Sequence, residues 1–239
     1  MEKIYYIVLV PMVYISFAMF IFGIIFQVIR LFFKAKSAVP APIFFGKNPK
    51  PFAAWYDTFL LPTVRKHNPI LWLFLMIFHI CFLLLIIGHI ELIADISIIQ
   101  IIPHTIFLGN GYIGFLMAIS LLFFLFRRFF TPYRQLSIPE DYFLLILLFL
   151  TVIFGSEMDW ARNLYGYGQL GIEDYRTYLS SMIFFKPELT DNILDSGHSF
   201  MLVLHVFFAN VFLMIAPFSK IIHFIIALPV NKLRRGIHG

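Results

Sequence analysis

The sequence contains few charged residues and almost no cysteine. Charged side chains make up 13% of the 239 residues, whereas soluble domains usually carry about 25%. The single cysteine, Cys81, excludes an intrachain disulfide and any iron–sulfur cluster held by four cysteines of this chain. The net charge of +5 gives no indication of a nucleic-acid partner, because basic residues in membrane proteins mainly record orientation.

Apolar residues are abundant instead, and they fall into five segments. The sequence is 61% hydrophobic and contains 31 Phe, which predicts an all-α membrane protein with one multi-pass domain over residues 1–239. A helix needs about 20 apolar residues to cross a bilayer. The predicted spans cover residues 4–33, 69–93, 112–130, 142–156 and 198–228.

The segments between these spans are rich in helix-breaking or polar residues. Residues 34–68 contain five prolines, too many for a continuing helix, and predict an extended loop with an interfacial helix near residues 53–61. Pro103 and two glycines indicate a second loop at residues 95–110. Residues 157–197 are the most polar part of the chain and predict an ordered external segment.

Basic residues predict the orientation of the chain in the membrane. Fourteen of the eighteen Lys and Arg lie near the loop after the first span, in the loop after the third, or from the end of the fifth span onward. The other four are Lys3, Arg162, Arg176 and Lys186. Because the more basic side normally faces the cytoplasm, we expect the N-terminus outside and the C-terminus in the cytoplasm.

Four histidines lie within predicted spans, where an imidazole is costly and indicates a functional site. His79 and His89 belong to the second span, and His205 and His223 to the fifth. The second span runs outward and the fifth inward. His89 and His205 are therefore expected near the outer side, and His79 and His223 near the cytoplasmic side.

The spacing of these histidines favours haem over a compact metal cage. The ten residues between His79 and His89 correspond to about 15 Å along a helix, and the eighteen between His205 and His223 to about 27 Å. Eighteen residues make five whole helical turns, so we expect the two histidines of the fifth span to share one face. Two metal ions in identical ligand cages would require similar separations between the histidines of each span, and these separations are unequal. Two b-type haems, each held between two imidazoles and suited to one-electron transfer, accommodate them.

Other interpretations of the histidines stay open at this point. A single imidazole within a membrane can simply donate a hydrogen bond to a carbonyl of a neighbouring helix. A transporter or metal-binding permease would favour carboxylates at mid-membrane and internal repeats, and the sequence has neither in its histidine-bearing spans. A non-haem iron enzyme would favour closely spaced histidines. A cofactor-free membrane anchor is the fourth possibility.

The chain resembles the respiratory nitrate reductase gamma-subunit family. The resemblance covers about residues 69–235 and is carried by the histidine spacings, by APFSKIIHFIIALPV around His223 and by RRFFTPYR after the third span. That family includes related dihaem subunits of membrane complexes in sulfate reducers and methanogens. Residues 90–110 lack the lysine that nitrate reductase members carry there, and the loop at 34–68 is longer. Both features favour the branch linked to sulfate reducers or heterodisulfide reductase.

The resemblance implies a dihaem cytochrome b in the inner (cell) membrane of a prokaryote. Such a subunit exchanges electrons between a membrane quinone, expected to be of the menaquinone type, and cytoplasmic iron–sulfur partner subunits. By position, His89 and His205 would ligate the outer haem, and His79 and His223 the inner haem. The expected role is that of the electron-transfer subunit of a respiratory oxidoreductase, with the terminal chemistry in other subunits.

Three polar residues near the outer end of the second span are candidate proton acceptors for a quinol. They are Glu91, Asp95 and His104. A quinol releases two protons on oxidation, so a carboxylate or imidazole beside the outer haem suits this role. The alternative is that they are ordinary polar residues of the membrane interface.

Three further residues are candidates for contact with haem. Gly88, next to His89, would allow a porphyrin to approach the helix closely, or it serves helix packing. Arg127 and Arg128 would pair with propionates of the inner haem. The alternative for both arginines is that they anchor the third span at the membrane surface.

Overall fold

The structure is a computed structural model that describes residues 2–37, 51–93, 111–163, 166, 170–195 and 199–237. Regular structure in these ranges is helical throughout, which confirms the all-α prediction. In chain order the α-helices are α1 (Glu2–Leu9), α2 (Pro11–Ser37), α3 (Pro51–Leu60), α4 (Pro62–His67), α5 (Pro69–Ile93), α6 (Tyr112–Arg127), α7 (Tyr133–Leu136), α8 (Pro139–Asn163), α9 (Ile172–Ile183), α10 (Asp191–Asp195), α11 (Ser199–Ile215) and α12 (His223–Ile237).

Four helical segments of the described residues are long and apolar enough to cross a membrane. They are Lys3–Arg30, Pro69–Ile93, Pro139–Ala161 and Ser199–Phe218. The apolar helix α6 has 16 residues, about 24 Å, and falls short of the roughly 30 Å of a bilayer core. The chain is therefore a multi-pass membrane protein, while α6 as a membrane span, the total of five spans and the orientation stay predictions.

The fifth predicted span is not the continuous helix that we expected. Helix α11 ends at Ile215 and is followed by two short 3-10 segments, Ala216–Phe218 and Lys220–Ile222, before α12 begins at His223. Pro217 cannot donate a helical hydrogen bond, and Ser219 has extended backbone angles. The inference that His205 and His223 share one helix face is therefore wrong, because it assumed an unbroken helix.

Two of the predicted connecting segments contain more helix than expected. Of residues 34–68, positions 38–50 lie outside the described residues, and Pro51–Leu60 and Pro62–His67 are helical. Each of these helices starts at a proline, the position where the missing N–H costs least. The expected helix near 53–61 is thus confirmed as α3. The segment at 157–197 begins inside α8 and contains α9 and α10. The loop expected at 95–110 lies outside the described residues.

The chain divides into two compact units. The first comprises Met1–Ser16 and Ile77–Phe212, and the second Phe17–Met76 and Leu213–Gly239. In the first unit α6 packs closely on α8, since Gly114 has no side chain to collide with Ser156. The core between these helices also contains Cys81, which is buried as a small apolar residue.

A second core of the first unit joins α1 to the segment between α8 and α11. It contains Leu9, Tyr178, Ile193 and Leu202 together with other buried apolar residues. The last carbonyls of a helix lack intrahelical donors. At the end of α1, the Tyr178 hydroxyl donates to the Leu9 carbonyl at 2.6 Å.

The second unit is organised around α3 and α12, which pack against each other. The Asn231 side-chain amide donates to the Thr58 hydroxyl oxygen at 2.9 Å. Elsewhere in this unit, the Gln27 amide donates to the carbonyl of Pro217 at 3.2 Å. The first of these bonds joins α3 to α12, and the second joins the first span to the chain at its break at residues 216–222.

Candidate functional site

The imidazoles of His89 on α5 and His205 on α11 lie close together in the first unit. Their ring centroids are 6.1 Å apart and their planes differ by 20°. Two metal–imidazole bonds of about 2 Å each, in line with the rings, also separate two ring centroids by roughly 6 Å. The centroid spacing therefore matches that of two imidazoles on one iron, and ligation through their Nε2 atoms stays a prediction.

Hydrogen bonds orient both rings toward ligation through the same type of atom. His89 Nδ1 lies 2.6 Å from the Leu85 carbonyl oxygen, and His205 Nδ1 lies 2.8 Å from the Thr151 carbonyl oxygen. A carbonyl can only accept, so Nδ1 carries the proton in each ring and Nε2 keeps its lone pair. This arrangement is usual for metal-binding histidines, in which a second hydrogen bond fixes the tautomer and the ring.

The orientation of His205 depends on a different helix, α8. A Cβ atom at Gly155 would lie 2.9 Å from both Cε1 and Nδ1 of His205, closer than real Cβ contacts allow. Gly155 is one helical turn after Thr151, whose carbonyl accepts from the imidazole. The missing side chain at 155 therefore lets the ring reach the helix backbone. Neither Thr151 nor Gly155 was predicted from the sequence. Small residues four positions apart indicate a close contact between two helices. The pattern does not show which helix is the partner.

The two histidines assigned to the inner position belong to different units and are described separately. His79 is exposed on α5 and lies edge-on to Phe78, with centroids 5.2 Å apart. His223 is the first residue of α12 and is also exposed. Its Nδ1 donates to the Lys220 carbonyl at 3.1 Å. The pairing of His79 with His223 stays a prediction.

The candidate proton acceptors are placed only in part. Glu91 lies two residues after His89 and is fully buried, with 0% exposure. Asp95 and His104 lie outside the described residues. Gly88 is buried by protein atoms on α5, which agrees with helix packing. The roles of these four residues stay predictions.

The two arginines at the end of α6 have partners within the chain. Arg128 forms an ion pair with Asp141 at 3.0 Å and donates to the Ser137 hydroxyl at 3.1 Å. The Arg127 guanidinium lies 3.5 Å from the centre of the Tyr133 ring, in the geometry of a cation–π contact. These contacts agree with a role in anchoring α6, and the propionate contact stays a prediction.

In the described part of the chain, no three His, Cys, Asp or Glu side chains are close enough to hold a metal ion. The His89–His205 pair supplies two ligand atoms. A haem could be held by these two imidazoles without further protein ligands and would supply a one-electron redox centre. The donor set around His89 and His205 therefore suits haem.

Comparison with known proteins gives two matches. The family model described as the nitrate reductase gamma subunit matches residues 67–238, a range that includes all four histidines. The Hdr-like menaquinol oxidoreductase cytochrome b-like subunit of Archaeoglobus fulgidus is 24% identical over 270 residues. That alignment covers 90% of this chain and 75% of the relative.

Proposed function

The chain belongs to the nitrate reductase gamma-subunit family, as the histidine spacings indicated, and we propose that it is the dihaem cytochrome b subunit of a menaquinol-linked oxidoreductase. In this role it transfers single electrons between menaquinol in the membrane and an iron–sulfur subunit on the cytoplasmic side. The name of the archaeal relative, which contains both menaquinol oxidoreductase and cytochrome b, supports the proposal.

The observation that carries the proposal is the His89–His205 pair. Both rings present Nε2, both have Nδ1 fixed by a backbone carbonyl, and their separation fits one iron. When bound there, a haem supplies a one-electron redox centre. The chain fixes the tautomer of both ligands and orients them before binding, so less conformational entropy is lost on ligation.

The inner haem is assigned to His79 and His223. His223 has the same Nδ1–carbonyl arrangement as the outer ligands, and Phe78 meets both His79 and Phe124. Aromatic side chains around a redox centre exclude water and influence its potential. A pair of centres at two depths provides a route for electrons across the membrane.

Menaquinol oxidation also requires proton acceptors, and Glu91 is the described residue best placed for this role. It lies on the same helix as His89 and is shielded from bulk solvent. We assign Asp95 and His104 to the same task because they follow Glu91 in the chain. A carboxylate or an imidazole near the quinol can accept a proton as an electron leaves.

The test is a dithionite-reduced minus oxidised spectrum of the purified full chain, with a pyridine haemochrome count. We expect a b-type α-band and two haems per chain. One haem would retain the cytochrome assignment and reject the dihaem relay. A complete absence of haem would reject both and favour a membrane anchor without a cofactor.

A further inference from the structure

Helix α9 ends in a hydrogen-bonding pattern that normally contains glycine. The Lys186 N–H donates to the Ser181 carbonyl at 3.0 Å, and the Phe185 N–H donates to the Met182 carbonyl at 3.2 Å. These are the two bonds of a Schellman motif. Phe185 occupies its left-handed position with φ of 57°, where glycine is usual and a bulky side chain is strained. A phenylalanine at this position needs a compensating contact.

The residues at this helix end form an apolar tip that is exposed at the surface of the chain. Ile183 is 50% exposed, Phe184 73% and Phe185 79%. We call these three residues the α9 tip. Within the chain, the Phe185 ring stacks on Tyr14 with centroids 5.4 Å apart, and most of its surface is still uncovered.

The α9 tip lies beside a membrane span. The Tyr14 hydroxyl donates to the Met182 carbonyl at 3.0 Å, and the Tyr178 hydroxyl donates to the Leu9 carbonyl at 2.6 Å. Helix α9 therefore runs alongside the start of the span Lys3–Arg30. Tyr14 is eleven residues from Lys3, about 16 Å along the helix axis.

The start of α9 is less apolar at its surface than the tip, since Ile172 is 36% exposed and stands beside an exposed carboxylate. Glu173, in the first turn, is 79% exposed and pairs with Arg176 at 2.8 Å. Lys186 follows the tip directly and is exposed. Aromatic residues beside a lysine suit the boundary between acyl chains and anionic phosphates, where the rings enter the apolar layer and the ammonium stays with the headgroups.

From these observations we infer that the α9 tip is a lipid-binding element that inserts into the membrane interface and fixes α9 against the first span. Phe184 and Phe185 contact acyl chains, and Lys186 contacts lipid phosphates. Lipid contact compensates for the strained backbone of Phe185. This inference does not depend on haem or on quinol.

A nitroxide at position 184 tests the inference in the full chain. The variant Cys81→Ala/Phe184→Cys carries one thiol for labelling and is reconstituted in phosphatidylcholine/phosphatidylglycerol vesicles. The readout is the ratio of collisions with oxygen, which concentrates in lipid, to collisions with a water-soluble nickel chelate. The matched control is Cys81→Ala/Glu173→Cys on the same helix. We expect the ratio at position 184 to be at least fivefold higher than at position 173.

Two results would overturn the inference. Equal ratios at 184 and 173 would place the tip in water, and low collision rates with both reagents at 184 would indicate cover by protein. If the cysteine variant does not fold, Phe184→Trp gives a second measurement. The emission of the introduced tryptophan is obtained as the difference from the parent chain and should be quenched at least twofold in vesicles of brominated lipid. Unchanged emission would reject lipid contact.

Discussion

The outer and inner histidine pairs differ in how much of their geometry the chain itself fixes. His89 and His205 lie in one compact unit, with their rings 6.1 Å apart and nearly parallel. His79 and His223 belong to separate units and are both exposed. The proposed outer ligands are thus oriented toward each other's neighbourhood within one unit, whereas the described contact of His223 is with the Lys220 carbonyl in the turn that precedes it. Preorganisation reduces the entropy lost on binding, so we expect the outer haem to be retained more strongly.

The largest effect should come from removing a histidine of either pair. We expect His79→Ala or His223→Ala to reduce the haem count from two to one, and the spectrum of the outer haem should persist, because an iron without its second imidazole is held poorly. His205→Ala should leave the inner haem instead. The measurement is a haemochrome count with a redox titration of isolated membranes. If both haems survive His79→Ala or His223→Ala, the proposed pairing is wrong.

A smaller effect, confined to the outer haem, is expected for Gly155→Ala. The added methyl group would lie 2.9 Å from the His205 ring and displace it from the Thr151 carbonyl. Loss of such a supporting contact typically weakens metal binding by about 10- to 100-fold. We expect partial loss of the outer haem and an altered low-spin electron paramagnetic resonance signal, with the inner haem unchanged.

The control for Gly155→Ala changes the next residue of the same helix, α8, where it packs on α6, without touching an imidazole. In Gly114→Ala/Ser156→Ala the new methyl group takes the space vacated by the Ser156 hydroxyl. Both haems should keep their spectra in this double variant. Equal changes in the outer haem of both variants would mean that Gly155 acts through helix packing alone.

The sequence predicted the histidine-bearing spans more completely than the surroundings of the histidines. Residues 69–93 were predicted as the second span and form α5 with the same bounds, because apolar composition and flanking prolines determine a membrane helix locally. The contact between His205 and Thr151 joins residues 54 positions apart. It depends on which face of α8 meets α11, and no local pattern specifies that. The break after Ile215 was missed because the apolar run continues through Pro217 and outweighed the single proline.

A smaller effect, on stability, is expected in the second core of the first unit, which contains Tyr178 and Leu9. Tyr178 is 3% exposed, and burial, with a further contribution from Tyr14, raises the pKa of its hydroxyl above the ordinary value. Tyr178→Phe removes the hydrogen bond to Leu9 and should lower the free energy of unfolding by about 1 kcal/mol. Denaturant unfolding in detergent at neutral pH measures this difference.

The raised pKa of Tyr178 also predicts how stability depends on alkaline pH. The hydroxyl is protonated in the folded chain at a pH where the unfolded chain, with a tyrosine pKa of about 10, already loses the proton. Its contribution is therefore complete below pH 10 and is lost as the pH rises above that value. Tyr178→Phe should show a shallower loss of stability from about pH 10 upward. Parallel pH profiles for the two proteins would contradict this assignment.

The smallest effect on haem is expected at Arg128, on the cytoplasmic side according to the predicted topology. Its ion pair is with Asp141, which is 5% exposed, so Arg128→Gln leaves a buried carboxylate without its cation and should lower stability by more than the roughly 1 kcal/mol of an exposed pair. Arg128→Gln/Asp141→Asn removes both charges and should recover most of this loss. We expect the potential of the inner haem to stay unchanged in both variants, since the ion pair identifies Arg128 as an anchor of α6. A similar fall in that potential in both variants would show instead that Arg128 contacts a haem propionate, because loss of a nearby positive charge stabilises the oxidised iron.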